Sequence, residues 1–165
     1  MKDIPVYKFP ASYAWEHDEL AAYRASNKAN MACKEAIEAA IRDHYHNNCL
    51  GSGAVKQAIE QFGYDRVFYV LANTVRQKDW DDRFCLDNKA WAKTIPVFED
   101  LDAWGADHNR YFVVNSHSCL TDLFLSLARE AHAREQQKAS VRDKLKKHPK
   151  VTLPKISAKS KEQER

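Results

Sequence analysis

A mainly α-helical fold with at most a minor strand pair is what this sequence predicts, and three observations carry the prediction. Apolar residues recur at helical spacing, as in Cys33, Ile37 and Ile41 at i, i+4 and i+8. Only 4 Gly and 5 Pro occur among 165 residues, too few for a loop-rich β fold. Hydrophobic content of 44%, with 7 Phe, 7 Tyr and 4 Trp, is enough for a packed core. A chain of this length buries roughly two-thirds of its unfolded surface, one domain's worth.

Taken in order, Ile4–Phe9 reads as a short edge strand, kept short by Pro5 and Pro10. Ser12 reads as the N-cap of a helix to about Ala25, and a second helix runs from about Lys28 to Tyr45, flanked on its apolar face by Ala36 and Ala40. Asn47-Asn48 and Gly51-Ser52-Gly53 form the turn after it. Ser52 then caps a short helix carrying Val55, Ala58, Ile59 and Phe62, and Gly63 sits where a left-handed residue is wanted. From Asp65 to about Lys78 the apolar residues lie almost all round, the mark of the most buried helix. Asp87 is a cap for a short helix stopped by Pro96. Tyr111-Phe112-Val113-Val114 is the best strand pattern, and Ser118 caps a last core helix presenting Leu120, Leu123, Phe124 and Leu127. Beyond Ala133 the apolar stripe fails, so a helical globular domain is expected over 1–131 and a basic tail over 132–165, helical at first and then disordered.

The net charge of +3 hides a division: residues 132–165 hold 11 Lys/Arg against 4 Asp/Glu, while residues 1–131 hold 15 against 19. The tail suits phosphate neutralisation, through Arg142, Lys144, Lys146, Lys147 and Lys150, whereas DNA would repel the body. No apolar run approaches the ~20 residues that cross a bilayer, and the N-terminus has no signal core, so a cytoplasmic protein without membrane contact is expected. Cys33, Cys49, Cys85 and Cys119 are widely spaced; in a reducing compartment they read as free thiols, mostly core fillers.

No catalytic or cofactor motif is present, and neither an enzyme nor a bound cofactor is expected. His44-x-His46 with His117-x-Cys119 offers four metal ligands, but an x-spaced pair on a helix points about 200° apart. Cys119 beside His117 offers a nucleophile and a base without the third, orienting group. These two features keep a thiol or metal enzyme as an alternative. Asp79, Asp81 and Asp82 could hold a divalent cation, yet the interleaved Lys78 and Arg83 favour surface ion pairs and caps. The most informative stretch is Val70–Phe84, where an apolar helix turns abruptly into charged and amide groups around Trp80. Trp80 and Trp104 both stand in polar, loop-like context, where an aromatic either folds back over the core or anchors an interface. Arg76, Lys78, Asp79, Trp80, Asp81, Asp82, Arg83 and Trp104 are the candidate partner-binding residues.

Several phrases resemble one family: Tyr23-Arg24-Ala25-Ser26-Asn27-Lys28-Ala29-Asn30 followed by Cys33-Lys34-Glu35-Ala36-Ile37, then Tyr69–Thr74 through Lys78-Asp79-Trp80-Asp81, Asn88-Lys89-Ala90-Trp91-Ala92, and Tyr111–Val114 with Ser116-His117. They are similar to a domain family carried on plasmids, conjugative elements and phages of gut bacteria, within which lie what look like type II-A anti-CRISPR proteins, inhibitors of Cas9. The resemblance covers about residues 1–131. It departs at Ser118-Cys119, where the family pattern has Pro-Gly. It implies stoichiometric binding to Cas9 carrying its guide RNA, in a bacterial cytoplasm, impeding target-DNA engagement without an active site. Cas9 reads its target with clustered Arg and Lys, which the acidic stretches Asp79–Asp82 and Glu99–Asp107 would complement. A nucleic-acid-binding accessory protein of a mobile element, acting through the tail, is the alternative.

Overall fold

Five α-helices and one small antiparallel strand pair make up the fold in a computed structural model that describes residues 1–147. The chain divides into a unit Met1–His132 and a unit Ala133–Arg165.

In the first unit, α1 (Ala11–Glu16) ends at Asp18, whose φ of 57° turns the chain into α2 (Leu20–His44). The helices expected on either side of Ala25–Lys28 are thus one, and the break falls earlier, where an Asp tolerates the left-handed conformation. The buried face of α2 is the Cys33, Ile37, Ile41 stripe with Ala29 and Ala40. Residues 4–9 are not a strand. The strand pair is instead Tyr45–His46 with Cys49–Leu50, closed by Asn47 and Asn48 at φ 52° and 59°. Two consecutive positive φ values make the two-residue hairpin turn that Asn suits.

α3 (Gly53–Gln77) is the central element, packed against α2, α4 and a 3-10 helix. Gly63, at φ 77° and ψ 163°, breaks it into two helical halves. The second half buries Arg66 through Val75 without interruption; its β-branched valines do not make it a strand. α4 (Leu86–Thr94) begins at Cys85, whose backbone N–H donates to Asp122 Oδ1 at 3.1 Å; Asp87 lies in the first turn and is not the cap. Tyr111-Phe112-Val113-Val114 is not a strand: His108–Phe112 is a 3-10 helix, with extended backbone after it. Among the described residues no strand edge pairs with it, and an apolar β-branched run without a partner strand cannot form a ladder.

α5 (Ser118–Lys147) belongs to the core only in its first part. Phe124 is buried and Leu120 and Leu127 pack half-buried against the core, as expected, but Leu123 is 40% exposed and Thr121, Leu125 and Ala128 complete the inward face in its place. In the second unit, every described residue from Ala133 to Lys147 is exposed. No described helix is long and apolar enough to cross a membrane.

Candidate interaction surface

The last turn of α3 fastens two loops, each presenting an exposed tryptophan. Arg76 donates from Nε to the Ala92 carbonyl (3.0 Å) and from Nη2 to the Ile95 carbonyl (2.7 Å), binding the C-terminus of α4, where orphan carbonyls need donors. Gln77 Nε2 donates to Asp107 Oδ2 at 2.8 Å, and Asn73 Nδ2 to the Asn109 carbonyl at 2.7 Å, fastening the base of the 98–109 segment to the same helix.

The first loop runs from Lys78 to Cys85. Asp81, 4% exposed, accepts from Arg83 Nε (2.8 Å) and Nη2 (2.7 Å), from the Arg83 backbone N–H (3.1 Å) and from Ser118 Oγ (2.5 Å). A carboxylate with a bidentate guanidinium and a hydroxyl has little reason to accept a proton. Arg83 above all, then Ser118, holds Asp81 far below the ordinary carboxylate range. Lys78 Nζ donates to the Val114 carbonyl (3.2 Å), Lys89 Nζ to the Asp79 carbonyl (2.7 Å), and Phe84 is buried at the loop's far end. Fixed on both sides in this way, the loop presents Trp80 at 76% exposure between Asp79 and the exposed Asp82.

The second loop turns at Asp102-Ala103-Trp104-Gly105. Asp102 Oδ1 accepts from the Trp104 and Ala106 backbone N–H groups (2.8 and 2.9 Å), and the Gly105 N–H donates to the Asp102 carbonyl at 3.0 Å. These backbone donors keep the Asp102 carboxyl below its usual range. Gly105 takes a φ of 80°, and Leu101 bridges Asp107. Trp104, at 93% exposure, stands on this closed turn. The signal was in the sequence: Asp at the first and Gly at the fourth position of a turn is a type I signature.

Of the candidate partner-binding residues, Arg76, Asp79, Trp80, Asp82, Arg83 and Trp104 are exposed. Asp81 is not a partner-facing carboxylate but a buried internal anchor, because Arg83 and Ser118 together bring four donors to its carboxylate. Arg76 and Lys78 are committed to backbone carbonyls. Ser118, expected to cap α5, donates instead to Asp81, a pairing across 37 positions that no local pattern reveals. Cys33 is buried, and burial pushes its thiol up to about 12, but Cys49, Cys85 and Cys119 are exposed free thiols and not core fillers. His44 Nε2 lies 3.1 Å from Gln57 Oε1, and His46 Nε2 donates to the Asp43 carbonyl. Among the described residues no three His, Cys, Asp or Glu side chains converge on a metal position. Arg142, Lys144, Lys146 and Lys147 are exposed on the end of α5, and Lys150 lies outside the described residues.

No curated protein and no solved structure matches the chain. One family model, described as "Protein of unknown function (DUF3849)", matches residues 6–133, spanning nearly the whole first unit from the N-terminal segment into α5, and the chain belongs to this family.

Proposed function

We propose that this protein is a stoichiometric inhibitor that binds guide-loaded Cas9 and impedes target-DNA engagement, without catalysis or cofactor. The observation that carries the reading is Trp80, exposed on a loop whose backbone is locked from both flanks. An aromatic held in place before binding loses little freedom on association, and tryptophan is the residue most enriched among binding hot spots. Trp104 repeats the arrangement on a second closed turn. Asp79 and Asp82 beside Trp80, and the exposed Glu99 in the segment that carries Trp104, suit a partner rich in Arg and Lys, such as the surface with which Cas9 grips nucleic acid. The resemblance noted above supplies the identity of that partner.

Mixing the protein with guide-loaded Cas9 before adding target DNA tests the reading. Inhibition that saturates near equimolar ratio is expected, and Trp80→Ala should weaken binding by about 2 kcal/mol while leaving the melting temperature nearly unchanged. Unchanged cleavage at large excess across several Cas9 orthologues refutes it.

A second reading rests on the exposed part of α5. Arg134, Lys138, Arg142 and Lys146 recur every fourth residue, a basic stripe along one side of the helix. A stripe of this kind suits a phosphate backbone. Binding to duplex DNA that falls steeply with salt, and disappears on removal of residues 132–165, would make the protein a nucleic-acid-binding accessory of a mobile element.

A further inference from the structure

Arg66 brings a positive charge into the interior without a negative one to meet it. Its side chain is 1% exposed, and it follows the Gly63 break by three positions. Nη1 donates to the Ser26 carbonyl (3.0 Å) and to Asn30 Oδ1, and Nη2 to the Ile4 carbonyl (2.7 Å). Every one of these acceptors is neutral. Nε has no partner at all. Among the described residues no carboxylate forms an ion pair with Arg66, and burial holds the guanidinium below its ordinary pKa. A buried ion is normally paired, because removing it from water is strongly unfavourable otherwise.

The same residue lines a cavity of about 500 Å³ between the N-terminal segment and the break in α3. Lys2 and Lys8, both exposed, share the lining, and Asp65 is the single acid among the described lining residues. Tyr64–Arg66, the first residues of the resumed helix, form part of the wall. The start of a helix carries partial positive charge and N–H groups without helical acceptors. Three cations, one acid and a helix start give this cavity the chemistry of an oxyanion site. Its volume exceeds what a bare inorganic ion fills.

We propose that this cavity binds a small organic phosphate, with Arg66 supplying the buried positive charge and Lys2 and Lys8 the charges at the rim. A phosphate monoester, with a charge of about −1.5 to −2 near neutral pH, offsets an excess of this size better than a single carboxylate does. The Arg66 fork is committed to Ser26, Asn30 and Ile4, so Arg66 contributes its uncompensated charge, and the rim lysines supply the point-charge donors to the phosphate oxygens. The site is separate from the Trp80 and Trp104 loops and does not depend on the Cas9 reading.

Titration calorimetry of the full chain with ribose 5-phosphate, at constant ionic strength and with citrate in parallel, tests the proposal. Saturable binding of the phosphate ester is expected, with citrate weaker. Replacing both rim lysines, Lys2→Ala with Lys8→Ala, should weaken it by about tenfold or more. Both positions are exposed, so the melting temperature without ligand stays near wild type and folding is not confounded. Arg66→Met should abolish binding. Heat that follows ionic strength alone, equal affinity in the lysine double variant, or tighter binding of citrate than of the phosphate would overturn the assignment and leave Arg66 as a structural clamp joining Ile4 to Ser26 and Asn30.

Discussion

At the scale of single residues, one carboxylate turns the segment after α3 from a hinge into a platform. Asp81 takes four donors, two of them from one guanidinium, and leaves Arg83 and the start of α5 no freedom to separate. Its pKa in the folded state lies below the ordinary 3.8, so its contribution to stability is fully present above that value. The contribution is lost as pH falls through the folded-state pKa, when wild type too must protonate the group. Asp81→Asn should therefore lower the melting temperature at neutral pH, and the gap from wild type should narrow below about pH 4. Melts recorded across that range check it; a gap that does not change with pH would mean the carboxylate's charge contributes nothing. Trp80, one position earlier, carries the opposite expectation, since its ring touches solvent and its loss should spare the fold.

At the scale of elements, Gly63 is what makes α3 two helices that meet at a kink. Its φ of 77° belongs to a region that side chains rarely enter, while a Cβ built there would meet only Lys2 Cγ, at 3.9 Å. The obstacle to substitution is thus backbone strain and not collision. Gly63→Ala should destabilise by about 1–3 kcal/mol, read as a shift in denaturant midpoint at constant slope. The same strain at Gly105 falls in an exposed turn with nothing within 4 Å, where it would disturb Trp104 instead of the core. α5 shows how an element's face is chosen from outside. Ser118, tied to Asp81, and Asn88, donating to the Asp122 carbonyl (3.1 Å) and to Ser126 Oγ (3.0 Å), set its rotation. Leu125 and Ala128 then point inward where Leu123 was expected.

At the scale of the whole molecule, stability and charge belong to different segments. The buried residues all lie in the first unit, and Ala133–Lys147 buries none among the described residues. Removing residues 133–165 should leave the melting temperature of the rest within about 2 °C, the size expected when no apolar surface is re-exposed. It should also move the net charge of the protein from positive to negative, visible as a shift to lower isoelectric point. A melting temperature that falls by more than about 5 °C would show that the second segment contributes to the stability of the first.

The sequence by itself determined the helical class, the inward stripe of α2, the burial of the second half of α3, the break at Gly63 and the turn at Asn47-Asn48. These depend on periods of 3.6 residues and on backbone regions that few residue types accept, so a local window contains the cause. Only the tertiary structure decided the rest. Tyr111–Val114 reads as a strand until the absence of an adjacent edge is known, and Asp81 reads as surface charge until Ser118 is brought to it from 37 positions away. Trp80 and Trp104 are indistinguishable in sequence from aromatics that fold back over a core. Their exposure follows from side-chain anchors, Asp81 and Asp102, that hold the surrounding backbone in place. Arg66 is the extreme case: no local pattern marks a guanidinium for burial, and its environment exists only once the N-terminal segment, α2 and α3 have met.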